Sequence, residues 1–231
     1  MGIAERRERE KEQLRTRMIE AARDIVSEKG LDALSMRAIA ERIEYSPATI
    51  YLYFKDKDEL VREVVVAGFE RMSDYMREEL MEAGESATAL EEYRGIGRAY
   101  VRFALENTAY FRVMFELPTV AQMECPCPEP VDGISMKDEK SFDFVVDTLR
   151  EASDSGLVCV KDPFRGALIG WGMVHGLTSL YLSGHLGDAI TSNEEFLELI
   201  AEAQRSLHQG WKPRDMGEES TARETAAAAR S

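Results

Sequence analysis

The chain has 231 residues, of which 44% are hydrophobic, and a formal net charge of −14 at pH 7. This composition is normal for a globular protein with a buried core, and the length allows one large domain or two modest ones. The sequence has no run of about 18 apolar residues that could span a membrane. Its charged first residues lack the apolar segment of a signal peptide, and its three cysteines do not make a disulfide framework, which indicates a reducing cytoplasm.

Apolar residues recur at helical spacing near the start of the chain. The periodic positions are Leu14, Met18, Ala21, Ala22, Ile25 and Val26. They predict one amphipathic helix from about Arg9 to Lys29, which Gly30 can end in the left-handed conformation. Ser35 predicts the N-cap of a second helix. The apolar face of that helix contains Met36, Ile39, Ala40 and Ile43.

The next segment reads as a very short helix followed at once by the start of another. Ser46 is a good N-cap, and Pro47 suits the first helical position. Ile50 and Phe54 lie four apart and can face a core together. The residues left to face elsewhere include Thr49, Tyr51, Tyr53, Lys55 and Lys57. Hydroxyl groups and lysines suit a phosphate backbone, and two short helices joined by a tight turn form a helix-turn-helix.

Local signals divide the middle of the chain into further helices. Asp56 restarts the chain as an N-cap, and Glu59 completes a capping box. Helical spacing then predicts a long connector helix from Asp58 to about Ala83. After a glycine break, Thr88 can cap another helix. A short helix is predicted from Asn107 to Phe115.

The second half reads as a long loop, three helices and a tail. Leu117 to Ser135 holds four of the seven prolines, and a loop of this length is usually functional or disordered. Helices are predicted from Met136 to Ser155, from Asp162 to about Leu182 and from Ser192 to Leu207. From Lys212 onward a polar tail is predicted to be disordered. No strand pattern occurs, so the fold class is all-α.

Four glycines fall inside the predicted helix that ends near Leu182. They are Gly166, Gly170, Gly172 and Gly176. Each costs about 1 kcal/mol of helix propensity against alanine. We therefore expect close approach between helices at these positions.

The N-terminal motifs resemble a known family. The matching residues are Gly30-Leu31, Leu34-Ser35-Met36-Arg37-Ala38-Ile39-Ala40 and Tyr45-Ser46-Pro47-Ala48-Thr49-Ile50-Tyr51-Leu52-Tyr53-Phe54-Lys55-Asp56-Lys57-Asp58-Glu59-Leu60. This region, about a quarter of the chain, looks like the DNA-binding domain of TetR-family transcriptional repressors. The turn differs from the family pattern, because Glu44-Tyr45 occupies a place that usually holds a glycine.

The resemblance implies a surface that contacts DNA. Pro47 and Ala48 can meet a thymine methyl group at the leading end of the recognition helix, and Ser46 or Thr49 can bond a base or a phosphate. Arg37 suits either a DNA contact or a solvated surface, and the tyrosines could instead be partly buried aromatic residues. The predicted DNA-binding residues are Ser35, Arg37, Ser46, Pro47, Ala48, Thr49, Tyr51, Tyr53, Lys55 and Lys57.

A second resemblance lies in the C-terminal half. The segment Trp171-Gly172-Met173-Val174-His175-Gly176-Leu177 is similar to the Trp-His-Gly signature of one subfamily of TetR ligand domains, and Tyr110 to Phe115 suits the same subfamily. The resemblance does not name the ligand, but the apolar candidate pocket residues favour a hydrophobic or aromatic effector. The candidate ligand-binding residues are Tyr100, Phe103, Tyr110, Met114, Phe115, Phe142, Trp171 and His175. The aromatic residues could equally fill core, and His175 could be a hydrogen-bonded core histidine, a pocket wall or a dimer-interface residue.

The acidic charge is unevenly distributed. Residues 1–60 carry 12 lysines and arginines against 13 acids, and the rest of the chain carries 17 against 30. A DNA-binding domain is expected to be basic, so the placement of its charges matters. We expect Glu20, Asp24 and Glu28 to lie away from DNA, and the acidic remainder to discourage nonspecific DNA association.

Other functions are less well supported by the motifs. Cys125 and Cys127 could sense metal or redox state, but their spacing is tighter than that of structural zinc sites, and inert thiols are the alternative. An enzyme built on His175 or Cys159 lacks a polar constellation at catalytic spacing. No cofactor or metal is indicated. The nearly neutral N-terminal part leaves open a helical ligand-binding or redox-sensing protein that has lost DNA binding.

These observations predict an all-α homodimer. Residues 1–57 form a helix-turn-helix DNA-binding domain, residues 58–210 a helical effector-binding and dimerisation domain, and residues 211–231 a tail. The resemblance implies a repressor that a small molecule releases from a palindromic double-stranded operator, without a membrane partner. We expect the dimer to form through the helices that contain Gly166–Gly176 and Phe196–Leu207.

Overall fold

The computed structural model describes residues 2–84, 86–115 and 139–212. These residues form nine α-helices and no β-strand, which confirms the all-α fold class. In chain order the helices are α1 Ile3–Lys29, α2 Met36–Ile43, α3 Pro47–Tyr51, α4 Lys57–Ala83, α5 Ala89–Glu106, α6 Thr108–Phe115, α7 Glu139–Asp154, α8 Pro163–Leu182 and α9 Asn193–Gly210. Single 3₁₀ turns lie at Leu31–Ala33 and Gly187–Ala189. The predicted proline loop, Cys125, Cys127 and the tail from residue 213 onward lie outside the described residues.

Helix α1 begins at Ile3, six residues before its predicted start. Residues 4–13 are all exposed, so no apolar stripe marks them in the sequence. The ion pair between Arg6 and Glu10, at 2.9 Å, and the bond from the Gly2 N–H to the Glu5 carboxylate support this solvated stretch instead. Hydrophobic periodicity detects only the part of a helix that packs against something.

Side-chain caps set the starts of the next three helices as the sequence predicts. The oxygens of Ser35, Ser46 and Asp56 accept from backbone N–H groups three residues later, at 3.1, 3.2 and 2.8 Å. In the predicted capping box the Glu59 carboxylate would accept from the backbone N–H of Asp56. In the structure it accepts from the N–H of Lys55 instead, at 2.5 Å. Helices α1, α2, α3 and the start of α4 thus form the N-terminal head.

The remaining helices form a body in which α5 is central, since it packs against α4, α6, α7, α8 and α9. Helix α8 approaches α5 closely at Gly170, where a Cβ atom would lie 2.1 Å from the Tyr93 hydroxyl oxygen. At Gly166 a Cβ atom would lie 2.7 Å from Val160. These two glycines therefore permit the expected close approach of α8 to its neighbours, and those neighbours belong to the same chain.

The choice of helices α8 and α9 for the dimer interface stays a prediction, but several of their residues face the inside of the chain. Phe196 and Ile200 are fully buried inside the chain, and Phe196 stacks on Tyr181 with ring centres 4.2 Å apart. Gly170 faces Tyr93, so it cannot face a partner. The outward apolar stripe of α8 contains the exposed residues Ile169, Gly172 and Leu180 and the half-buried Gly176. Within the described ranges, and outside the helix's own nearby backbone, no atom lies within 4 Å of a Cβ added at either glycine. Helical periodicity alone did not distinguish the inner face of this helix from its outer face.

Candidate nucleic-acid interface and effector cavity

The turn between α2 and α3 depends on Glu44. This residue adopts the left-handed conformation, with φ 62° and ψ 44°, and is the one non-glycine residue with positive φ in the described ranges. The Tyr45 N–H closes the end of α2 by donating to the Ala40 carbonyl at 2.9 Å. Glu44 therefore provides the geometry for which the family usually has glycine, at a strain of roughly 1–2 kcal/mol.

Helix α3 presents most of its predicted contact residues to solvent. Ser46, Pro47, Ala48 and Tyr51 are exposed, and the Tyr51 side chain reaches 60% of its full accessibility. Ser46 and Thr49 share a hydrogen bond between their hydroxyl groups at 2.9 Å, which orients both. Ile50 is fully buried beneath them, so the helix is anchored by its opposite face.

Leu52 belongs to the same exposed surface, although the sequence-based set omitted it. Its side chain is 82% exposed, the highest value among the exposed large hydrophobic residues of the described chain. Ile50 and Phe54 are four residues apart and point into the core, so Leu52, two residues from each, lies on the opposite side of a helical segment. This position was the signal that could have identified it. An exposed apolar side chain beside Tyr51 suits a sugar or thymine methyl contact.

Three predicted residues are partly engaged within the chain. Tyr53 is half-buried and packs against the core. The Lys57 ammonium donates to the Leu31 carbonyl at 2.5 Å. Arg37 is exposed and pairs with Glu41 at 3.0 Å, a contact that competes only weakly with phosphate because both groups are hydrated. Lys55 and Ser35 are exposed.

A basic depression adjoins this surface. It has a volume of about 470 Å³ and is lined by Arg7, Glu10, Lys11, Gln13, Leu14, Arg17, Tyr45 and Tyr53. The Arg17 guanidinium lies 5.8 Å from the Tyr45 ring centre and donates to the Ile43 carbonyl at 3.4 Å. Three basic side chains against one acid make this depression suitable for a phosphate. Arg7, Lys11 and Arg17 were absent from the sequence-based set, although the four-residue spacing of the first two was visible.

A second concavity lies inside the body between α5, α7, α8 and α9. Its volume is about 40 Å³, and its walls are Met76, Tyr93, Ile96, Gly97, Tyr100, Phe142, Val145, Gly170, Trp171, Met173, Val174, Gln204, Leu207 and His208. It contains three of the predicted ligand-binding residues, namely Tyr100, Phe142 and Trp171. Met76, Tyr93, Gln204 and His208 were not predicted, because they join the cavity only through tertiary packing.

The other predicted ligand-binding residues lie elsewhere. His175 and Phe115 sit behind the cavity wall, where the His175 Nδ1 is 2.7 Å from the Tyr100 hydroxyl oxygen and the two rings of His175 and Phe115 are 5.2 Å apart. Phe103 is fully buried against Tyr75, with ring centres 6.0 Å apart. Tyr110 and Met114 pack toward Gly68 of α4. The structure does not bring these last three residues to the cavity.

Three buried groups in the cavity wall have shifted pKa values. Burial raises the pKa of Tyr93. Burial also raises the pKa of Tyr100, and its neighbour Trp171 offsets part of that shift. Burial, followed by the charge of Arg94, lowers the pKa of His208 from 6.5 to about 4. All three side chains are therefore neutral at pH 7. A neutral cavity lined mainly by apolar groups suits an uncharged apolar molecule.

Comparison with known proteins agrees with the geometry of both regions. A family model described as bacterial regulatory proteins, tetR family, matches residues 18–64, and one described as tetracyclin repressor-like, C-terminal domain, matches residues 93–204. Together they cover more than half of the chain. The chain belongs to the TetR family.

Curated relatives of this TetR-family chain match its N-terminal part. It is 39% identical over 64 residues to the HTH-type transcriptional regulator UidR of Escherichia coli strain K12, covering 28% of this chain and 33% of that protein. It is 26% identical over 95 residues to the uncharacterized HTH-type transcriptional regulator YobS of Bacillus subtilis, covering 41% and 47%. The chain thus spans a third to a half of the length of these relatives.

Solved structures share the fold over most of the chain. A protein of unknown function from Rhodococcus sp. RHA1 has a TM-score of 0.67 at 22% identity, with 87% of this chain and 96% of that one covered. The TetR family transcriptional regulator PfmR from Thermus thermophilus has a TM-score of 0.61 at 17% identity, with 83% and 97% covered. In the described part of this TetR-family chain no helix is long and apolar enough to cross a bilayer.

Helix α6 of this TetR-family protein contacts both α1 and the residues behind the body cavity. Tyr110 of α6 faces Arg23 of α1 in the head, at 4.9 Å from guanidinium to ring centre. One residue later, the Phe111 ring lies 5.6 Å from His175 and 6.0 Å from Tyr100, which borders the cavity. A displacement of α5 or α8 at the cavity therefore bears directly on α6, and through α6 on α1.

Proposed function

We propose that the protein is a repressor that binds a palindromic operator as a homodimer and leaves it when a small hydrophobic or aromatic molecule enters the body. Residues 1–57 contact DNA, and residues 58–210 hold the effector and the dimer interface. The exposed surface of α3, with the Glu44 turn that positions it, is the observation that carries the DNA-binding part. Its residues are Ser46, Pro47, Ala48, Thr49, Tyr51 and Leu52, with Lys55, Arg37 and Ser35 beside them.

The effector part rests on the cavity of the body and on its size. At about 40 Å³ it is much smaller than the roughly 150 Å³ cavity that accepts benzene. A molecule of that size can enter only if α5, α8 or α9 moves. A ligand shifts a conformational equilibrium only by binding one state better than the other. Since the effector fits only the expanded cavity, its binding favours the expanded state of the body.

Dimerisation is needed because a single α3 reads too little DNA. Two recognition helices must lie about 34–36 Å apart to enter successive major grooves. The outward apolar stripe of α8, Ile169, Gly172, Gly176 and Leu180, is the proposed interface, since glycines allow two helix backbones to approach closely. The resemblance of the segment around Trp171 and His175 to the Trp-His-Gly subfamily is kept as part of this proposal, with Tyr100, Phe142, Trp171 and His175 in or behind the effector site.

The test is selection of bound duplexes from a random-sequence pool, followed by affinity measurements at several salt concentrations. We expect an inverted repeat to be enriched, and its affinity to fall steeply with salt because phosphate contacts release counterions. The double substitution of Tyr51 and Lys55 by alanine should abolish enrichment without lowering the thermal midpoint, because both side chains are exposed. Failure of the wild-type protein to enrich any sequence would favour a helical ligand-binding or redox-sensing protein without DNA binding.

A further inference from the structure

His208 occupies an unusual position in the wall of the body cavity. Its side chain is 97% buried, and it lies between two aromatic rings, with ring centres 5.6 Å from Tyr93 and 5.3 Å from Trp211. These contacts hold the imidazole plane in place. The wall is mainly apolar, and its other polar side chains are those of Tyr93, Tyr100, Trp171 and Gln204. Among the described residues of this wall, the Trp171 Nε1 and the His208 Nε2 are the two buried side-chain nitrogens without a hydrogen-bond partner.

Arg94 determines which nitrogen of His208 carries the proton. The Arg94 Nε–H donates to His208 Nδ1 at 2.9 Å, so Nδ1 is an acceptor and bears no hydrogen. Burial and the Arg94 charge keep the ring neutral, with a pKa of about 4. A neutral imidazole with a bare Nδ1 must carry its proton on Nε2. His208 therefore presents an N–H donor at Nε2.

That donor has no hydrogen-bond partner in the described part of the chain. Buried donors are nearly always satisfied in folded proteins, and an unsatisfied one indicates a group that is supplied from outside or bound as solvent. The adjacent guanidinium of Arg94 makes the Nε2–H more positive, so it favours an electron-rich oxygen over another donor. The site is thus selective for a hydrogen-bond acceptor.

We propose that the effector is a mainly apolar molecule with a carbonyl-type oxygen, and that this oxygen accepts a hydrogen bond from the Nε2–H of His208. This inference rests on the proposed effector-responsive function and narrows its ligand class. The apolar walls bind the body of the molecule, and His208 fixes the orientation of its oxygen. Arg94 acts as a positioning residue, because its Nε–H donates to His208 Nδ1 and sets the tautomer, while Arg94 itself is not one of the residues that line the cavity.

The experiment compares probes that differ only at the proposed contact. Acetophenone and α-methylstyrene have nearly the same shape, and a methylene group in the second replaces the carbonyl oxygen of the first. Cyclopentanone and methylenecyclopentane form a smaller matched pair. Binding to the full-length protein is measured by calorimetry, and the Nε2 resonance of His208 is followed by ¹⁵N NMR, which needs no substitution.

We expect at least one ketone to bind about fivefold more tightly than its hydrocarbon partner and to move the Nε2 resonance of His208. His208→Gln keeps an N–H donor and should retain part of this preference, whereas His208→Phe should lose it. His185→Gln, which changes an exposed histidine after α8, is the control and should retain the full preference.

Three results would overturn the proposal. They are equal affinity for both members of each pair, binding of the ketone without movement of the Nε2 resonance, and no binding by any probe, which would indicate that the donor is satisfied by solvent alone. Each of these leaves operator selection by the unliganded protein untouched, so it is distinguishable from failure of the proposed function. Loss of operator selection with intact ketone preference would remove the repressor function and leave the site.

Discussion

The guanidinium of Arg23 lies 4.9 Å from the ring centre of Tyr110, across the boundary between α1 and α6. A second guanidinium, that of Arg71 in α4, lies 5.8 Å from the same ring. Tyr110 is buried, so these cations meet its face in a partly desolvated setting, where such a contact is worth more than at an exposed site. The pair joins the N-terminal head to the body.

We expect a double-mutant cycle of Arg23→Met and Tyr110→Leu to give a coupling free energy of about 1 kcal/mol in denaturant unfolding. Each single substitution should lower the free energy of unfolding. The loss of unfolding free energy in the double variant should be smaller than the sum of the losses in the two single variants. Strict additivity would mean that this contact does not hold head and body together.

Glu44 predicts a stabilising substitution. Glycine adopts the left-handed conformation without the Cβ penalty, so Glu44→Gly should raise the free energy of unfolding by about 1 kcal/mol, less the entropy that glycine adds to the unfolded chain. Glu41→Gly, three residues earlier inside α2, is the matched control and should lower it by about 1 kcal/mol. Chemical denaturation measures both, and a loss of stability at position 44 would contradict the assigned turn.

Arg37 and Glu41 predict opposite effects on DNA binding. Arg37→Ala should lower affinity and reduce the slope of log affinity against log salt by about one, because one phosphate contact disappears. Glu41→Gln removes a nearby negative charge and should raise affinity roughly two- to fivefold. Glu202→Gln, at an exposed position of α9, should change neither quantity. Fluorescence anisotropy at three salt concentrations provides the measurement, and an unchanged slope in Arg37→Ala would exclude a phosphate contact.

The stripe on α8 predicts the oligomeric state. Gly172→Arg should yield a folded monomer, because no atom of the described residues beyond the neighbouring backbone of α8 lies within 4 Å of the added Cβ, while a partner helix would meet the new charge. Met81→Arg, at an exposed apolar position of α4, is the control and should remain dimeric. Sedimentation velocity distinguishes the two species. A dimeric Gly172→Arg protein would exclude this face.

His208 predicts how stability depends on pH. Its pKa falls from 6.5 to about 4 on folding, so the unfolded chain binds this proton first as the pH drops. Neutral His208 therefore contributes to the free energy of unfolding, and this contribution is complete above pH 6.5. It is lost progressively as the pH falls toward 4, by up to roughly 3 kcal/mol. His208→Gln should remove this part of the pH dependence, and His185→Gln should preserve it. Denaturation midpoints between pH 7 and 4.5 test the difference. If the His208 variant shows the same pH dependence as the wild-type protein, a group other than His208 causes it.

Local sequence signals were sufficient for the starts of α2, α3, α4 and α5. Ser35, Ser46, Asp56 and Thr88 each cap a helix through a bond to a backbone N–H three residues away, so the information lies within a single turn. The start of α1 could not be read in this way, because its exposed first turns carry no apolar pattern. The glycines of α8 indicated close approach without revealing which side of the helix was involved.

By itself the sequence determined the all-α class, the helix-turn-helix and the exposed residues of α3, because caps, periodicity and turn chemistry act between near neighbours. Only the tertiary structure decided that Gly170 accommodates Tyr93, that Phe103, Tyr110 and Met114 lie outside the cavity, and that His208 lines it with an available N–H. Arg94 and His208 are 114 positions apart. A relation over that distance arises from the packing of α5 against α9, which no local pattern in the chain encodes.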